Sequence, residues 1–296
     1  MAFRSGFVTI IGRPNVGKST LLNLLTGEKI AIMSDKPQTT RNTIRTIVTT
    51  KDYQIVFLDT PGMHRPKNKL GDYMQKSAVT ALDDVDVILY IVEATDKAIG
   101  YGDSQIIDLI KNSKTPRILL INKMDLVDKQ NILPLIEQYS KKMNFEQIIP
   151  ISALNSETKD LVLSETAKLL PEGQPFYPED MLTDQPEKVL VQEIIREKIL
   201  HLISEEIPHG IGVEVISFKE KPDKDIIEIH ANIYCEKESH KGIIIGKNGD
   251  MLKKIGTLAR QDAEYLLDSK LFLKLWVKTK QDWRNSDFLL KELGYK

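Results

Sequence analysis

Gly12-Arg13-Pro14-Asn15-Val16-Gly17-Lys18-Ser19 decides how the first half of this chain is read. The octapeptide fits the spacing G-x-x-x-x-G-K-[ST]. It follows an apolar run, Phe7–Ile11, and opens a segment of helical spacing, Ser19–Thr26. That strand–loop–helix context is what the motif requires. Glycines let backbone N–H groups turn inward around phosphates, and a helix N-terminus adds the positive end of its dipole. Lys18 can reach β- and γ-phosphates, and the Ser19 hydroxyl can ligate Mg2+. Gly12, Asn15, Val16, Gly17, Lys18, Ser19 and Thr20 are the expected phosphate cradle.

Outward from this loop, short β-rich runs alternate with helical patterns. Phe7–Ile11, Ile44–Thr50, Gln54–Leu58, Val87–Val92, Ile118–Ile121 and Ile148–Ile151 read as strands. Ser19–Thr26, Lys69–Leu82, Asp103–Lys111, Asn131–Lys142 and Glu157–Leu169 read as helices. Several strands are apolar throughout, as in sheets buried on both faces. The alternation predicts an α/β fold, a doubly wound, mostly parallel sheet. Ile44–Thr50 and Gln54–Leu58 lie close enough to form a hairpin with one antiparallel edge.

Three more motifs fall at the C-terminal ends of predicted strands, where doubly wound sheets bind ligands. Asp59-Thr60-Pro61-Gly62 follows one strand. Asp59 can hold the Mg2+ shell, and the Gly62 N–H can meet a γ-phosphate. Asn122-Lys123-Met124-Asp125 follows another. The Asp125 carboxylate can accept two N–H bonds from guanine, a donor pair adenine lacks, so GTP is selected over ATP. Ser152-Ala153-Leu154 follows the last and can present a backbone N–H to the guanine O6.

This series of motifs resembles the translation-factor-related GTPases over residues 1–170. The resemblance implies that Asp59 binds Mg2+ through water, that Asn122 reads guanine with Asp125, and that Lys123 packs on the base. It also implies that Ser152 and Ala153 support the base loop, with Leu154 beside them. Gln38-Thr39-Thr40-Arg41 resembles the family's first switch segment; Thr40 is the expected Mg2+ ligand, with Thr39 the alternative. Met63 stands where related enzymes carry a water-orienting glutamine, so slow intrinsic GTP hydrolysis is expected. Lys18 and His64 are the catalytic candidates. In similar GTPases an asparagine at the Asn15 position helps hold K+, which predicts K+-stimulated activity.

Pro171, Gly173, Pro175, Pro178 and Pro186 crowd into sixteen residues and break the pattern. The expected division is a GTP-binding domain over 1–172, a linker over 173–185 and a second domain over 186–296. Beyond the break the order reads α-β-β-α-α-β with a helical tail from Asp282. Gly246-Lys247-Asn248-Gly249 lies between the second and third of these helices. That arrangement resembles a type II KH domain, whose G-x-x-G loop clamps a short single-stranded stretch by its sugar-phosphate backbone. Ile245, Gly246, Lys247, Asn248, Gly249, Lys253 and Lys254 are the candidate RNA-binding residues. Lys270, Lys274, Lys278, Lys280 and Arg284 are either solvated surface charges or an extension of the footprint. Trp276 and Trp283 belong either to the core or to base stacking.

Gln38–Arg41, Asp59–Gly62 and Glu193-Ile194-Ile195-Arg196-Glu197-Lys198, with a GTPase half followed by a KH half, resemble the Era family along the whole chain. The resemblance implies a cytoplasmic GTP/GDP switch of ribosome assembly. Its partners would be the 3′ region of 16S ribosomal RNA and the 30S subunit, with peripheral membrane association and no DNA. A monomer is favoured. The alternative is a constitutive RNA-binding assembly module in which nucleotide is mainly structural.

Composition agrees. The chain has 296 residues, about two domains in length. Its 41 basic and 42 acidic side chains exclude binding through bulk positive charge. Residues 173–239 hold 7 basic and 15 acidic side chains, whereas residues 240–284, around the G-x-x-G loop, hold 10 and 5. A local clamp is expected. Cys235 is the sole cysteine, so no internal disulfide is expected, which suits a reducing compartment. Neither a signal peptide nor a membrane-spanning run is expected.

Overall fold

The computed structural model describes residues 2–34, 36, 39–63, 66–203, 207–221 and 225–295. Gln38 and His64, both given roles above, lie outside the described residues. The chain forms two compact units divided between Asp184 and Gln185, with residues 34–37 and 66–73 grouping with the second.

In chain order the first part holds β1 (Arg4–Ile11), α1 (Lys18–Thr26), β2 (Ile44–Thr49), β3 (Tyr53–Asp59), α2 (Lys69–Thr80), β4 (Val87–Glu93), α3 (Tyr101–Ile110), β5 (Arg117–Asn122), α4 (Leu133–Lys142), β6 (Gln147–Pro150) and α5 (Glu157–Leu169). Among the described residues the sheet has the order β2-β3-β1-β4-β5-β6. Only β2 runs antiparallel, paired with β3 as the expected hairpin. β4 is buried along nearly its whole length, as its unbroken apolar run requires. α4 starts at Leu133 rather than Asn131. Pro134 takes the first turn, where its missing N–H costs nothing, and a 3-10 turn over Lys129–Ile132 precedes it.

The proline-rich stretch is not an open tether; it is folded onto β2 and β3. The Gln54 Oε1 accepts from the Phe176 and Tyr177 N–H groups at 2.7 and 3.0 Å, and its Nε2 donates to the Tyr177 carbonyl at 2.9 Å. The Ile47 N–H donates to the Leu182 carbonyl, Thr183 Oγ1 donates to the Arg45 carbonyl, and Arg45 pairs with Asp184 at 2.9 Å. These bonds satisfy the outward groups of edge strand β2, which would otherwise offer an open template for pairing.

The second unit contains α6 (Glu187–Leu202), β7 (Gly212–Lys221), β8 (Ile226–Cys235), α7 (Glu238–Ile245), α8 (Asp250–Leu267), β9 (Lys270–Thr279) and α9 (Asp287–Glu292). The sheet order is β7-β8-β9, with β7 antiparallel and β9 parallel to β8. One face of the sheet buries Val213, Ile229, Ala231, Ile233 and Leu271 against Ile195 and Ile199 of α6, Ile244 of α7 and Ile255, Ala259 and Ala263 of α8. Glu193, Arg196, Glu197 and Lys198 of α6 are buried rather than solvated. Arg196 and Glu193 form a buried pair at 2.5 Å, and Lys198 pairs with Glu197 at 3.0 Å and with Asp262. Trp283 is fully buried, its Nε1 donating to the Gly210 carbonyl at 2.9 Å.

Candidate functional site

The C-terminal ends of β1, β3, β5 and β6 carry the four motifs, so one edge of the sheet gathers residues far apart in sequence. Gly17 closes the loop after β1 with φ +101°, and a Cβ there would lie 2.2 Å from Asn122 Nδ2. Only glycine allows both the backbone turn and that approach. Lys18 is buried, and its ammonium donates to the Gly12 and Arg13 carbonyls at 3.1 and 2.7 Å. Burial lowers its pKa to about 8, against the opposite pull of Asp59. Phosphate anions beside it would strengthen the charged form.

Ser19, Thr40 and Asp59 converge. Ser19 Oγ lies 3.1 Å from Thr40 Oγ1, and both hydroxyls donate to Asp59 Oδ2, at 3.2 and 3.1 Å. Asp59 is fully buried, and its Oδ1 makes no hydrogen bond among the described residues. Burial raises its carboxyl pKa, offset by Lys18, Thr40 and Ser19. An all-oxygen set with one buried, unpaired carboxylate oxygen suits Mg2+, which takes one or two carboxylates and completes its shell with water and substrate phosphate. Thr39 is half-buried. Met63 is half-buried and packs against the apolar cluster that includes Ile88, Tyr90 and Val92.

Asn122 braces the base side. Its Nδ2 donates to the Val16 carbonyl at 2.8 Å, and its Oδ1 accepts the Ala153 N–H at 2.9 Å. The P-loop and the Ser152–Leu154 loop are thus tied through one amide, which keeps a second N–H for a ligand. Ser152 Oγ donates to Asp125 Oδ1 at 2.6 Å and orients an exposed carboxylate. Lys123 adopts φ +67°, and its ammonium pairs with Glu93. Leu154 is 79% exposed. Asn15 is exposed at φ +67° on the rim of the P-loop.

Sequence reading missed the support behind the P-loop. Arg13 pairs with Asp96 and, at 2.8 Å, with Asp103 at the start of α3. Asp103 is fully buried and also accepts the Tyr90 hydroxyl at 3.0 Å. Arg13 is a free position in the motif and Asp103 lies ninety residues on, so spacing carries no signal for the pair.

In the second unit, Gly246 ends α7 at φ +74°, Asn248 stands at φ +54°, and Gly249 caps α8 at φ +83°. This run turns the backbone sharply at the N-terminus of an 18-residue helix, where anions are favoured. Lys247, Lys253 and Lys254 are exposed, with no ion pair among the described residues. Ile245 is half-buried at the end of α7.

Comparison with known proteins agrees with this architecture. A family model described as a 50S ribosome-binding GTPase matches residues 7–123, and a KH-domain model matches residues 206–284. GTPase Era of Ruminiclostridium cellulolyticum is 59% identical over 296 residues, covering 100% of this chain and 99% of that protein. The chain belongs to the Era family. GTPase Era of Clostridioides difficile is 53% identical, covering 99% of each chain. Two solved Era structures superpose with a TM-score of 0.95 at 41% identity, each covering 99% of both chains. One is Aquifex aeolicus Era bound to GDP and AlF4−; the other is Era with MgGDPNP and nucleotides 1506–1542 of 16S ribosomal RNA. As an Era-family member the chain is a GTP-hydrolysing enzyme with a P-loop GTPase domain and a C-terminal RNA-binding KH domain, and it acts in ribosome assembly. A guanine nucleotide and Mg2+ are its cofactors.

Proposed function

We propose that this chain is a GTP-driven switch that binds the 3′ region of 16S ribosomal RNA through its KH domain and acts on the assembling 30S subunit in the cytoplasm. The convergence of Thr40 with Ser19 and Asp59 carries the reading. Thr40 lies outside the P-loop, so its place at the Mg2+ site can depend on the γ-phosphate and be released on hydrolysis. The Era relative solved with 16S ribosomal RNA supports the RNA partner.

In this reading Lys18, Gly12, Val16, Gly17, Thr20 and the Gly62 N–H hold phosphate. Ser19, Thr40 and Asp59 hold Mg2+, which when bound neutralises charge on the β- and γ-phosphates. Asp125, with Asn122, reads guanine, and Lys123 packs along the base. Asn15 holds K+ in place of an arginine finger; the exposed rim position of its side chain supports this. Met63, half-buried against an apolar cluster, carries no amide to orient water, which supports a slow intrinsic rate. Equal hydrolysis rates in K+ and Na+ would remove the K+ role. The test of the switch is RNA affinity measured with GDP and with a non-hydrolysable GTP analogue. Tighter binding with the analogue is expected; by linkage, RNA then raises affinity for the analogue by the same factor. Equal affinities would favour a constitutive RNA-binding module.

A further inference from the structure

The KH sheet has a second face. Along β9, Leu271, Leu273, Leu275 and Val277 pack toward the helices. The period of two turns Lys270, Phe272, Lys274, Trp276 and Lys278 to the opposite side. Same-side neighbours on a strand stand roughly 6.6 Å apart, so cations and aromatic rings alternate evenly along this strand. Phe272 is 53% exposed. Trp276 is half-buried, meeting His230 edge-on at 5.3 Å, with the Lys274 ammonium 5.0 Å from its ring centre.

The carboxylates on this face are already engaged. Glu228 pairs with Lys221 and lies 2.9 Å from His230; Glu214 accepts the Tyr234 hydroxyl at 2.6 Å. Lys270, Lys274 and Lys278 are exposed and make no ion pair among the described residues. The face therefore presents unmatched positive charge around an exposed ring, although the whole chain carries a net −1. A basic track with aromatic platforms is the chemistry of single-stranded nucleic acid binding, in which rings stack on bases and cations meet phosphates. Insertion into a lipid surface needs a broad apolar patch. Here Trp276 is recessed among His230 and Asn232, and Phe272 is the exposed ring.

We propose that the outer face of the KH sheet along β9 is a second single-stranded RNA surface, separate from the Gly246–Gly249 loop. Phe272 stacks on a base, and Lys270, Lys274 and Lys278 contact the phosphates on either side. β9 is the edge strand of the sheet and α8 packs beside it, so a strand leaving the loop can pass round this edge. The inference rests on the RNA-binding reading of the KH domain.

The test uses the full chain and two oligoribonucleotides from the 3′ end of 16S ribosomal RNA. One has about four nucleotides, the length a G-x-x-G loop clamps; the other has roughly sixteen. Phe272→Ala is expected to bind the long RNA roughly tenfold more weakly and the short RNA as wild type does. Phe272→Tyr, which keeps a ring, should restore the long-RNA affinity. Changing Lys270, Lys274 and Lys278 together to Gln should lower the salt slope for the long RNA by about 2. Wild-type affinity of these variants for the long RNA would overturn the proposal, and so would equal losses on both RNAs. It would also fall if the variants lost binding to phosphatidylglycerol vesicles alone, which would assign the face to lipid. If wild type binds neither RNA, the RNA reading itself fails.

Discussion

Lys18 is buried, and among the described residues its ammonium rests on two P-loop carbonyls with no carboxylate in ion-pair contact. Burial draws its pKa down to about 8, so the charged form is held less firmly than in water and is reinforced once phosphates arrive. Lys18→Met is therefore expected to leave the nucleotide-free protein at least as stable in urea unfolding, while GTP binding weakens roughly 100-fold. A clear drop in the urea midpoint would instead make the ammonium part of the fold. Asp125 accepts a hydrogen bond from Ser152, and the proposed reading has its carboxylate take two guanine N–H donors. Asp125→Asn replaces one acceptor with a donor. GTP affinity should fall about 100-fold or more, and xanthosine triphosphate, with a carbonyl where guanine has its amino group, should bind in its place. Competition against a fluorescent GDP analogue measures both. These residues were legible because their chemistry fixes residue type and spacing. The Arg13–Asp103 pair was not, because a salt bridge constrains only where two side chains end in space.

At the scale of elements, the turn after β1 is the sharpest test of local geometry. Gly17→Ala would force a Cβ against the Asn122 amide at a positive φ. The Asn122 brace to Val16 and Ala153 should then break, costing about 2–4 kcal/mol in thermal or urea unfolding. In the Gly246–Gly249 turn, the side chains of Lys247 and Asn248 are exposed rather than packed. Lys247→Asp with Asn248→Asp should abolish binding of short RNA and leave the unfolding midpoint and basal GTP hydrolysis unchanged. Strand–helix alternation was readable because each buried strand is continuously apolar and each helix keeps its own period. The fate of residues 173–184 was not. Prolines announce a break, but the hydrogen bonds that pin this stretch to β2 and β3 come from Gln54, Ile47 and Arg45, more than a hundred residues earlier.

For the molecule as a whole, a net charge of −1 hides a basic segment around the KH loop. Lys247, Lys253 and Lys254, with the three lysines of β9, give six candidate phosphate contacts. Binding of the longer RNA should follow a salt slope of about −4, measured by titration across ionic strength; a slope near −1 would leave most of these lysines without contact. The sequence by itself determined the fold class, the order of elements, the guanine-nucleotide motifs and the KH turn. Each of these depends on local periodicity or on chemistry that demands particular residues at particular spacings. Only the tertiary structure decided that Thr40 and Ser19 meet on Asp59, that Asn122 joins two loops, that Glu193, Arg196, Glu197 and Lys198 are buried, that Met63 packs on an apolar cluster and that Trp283 is core while Trp276 faces outward. These outcomes depend on which strands become neighbours and which sheet face the helices cover. Packing settles such questions across the whole chain at once, and no window of sequence contains them.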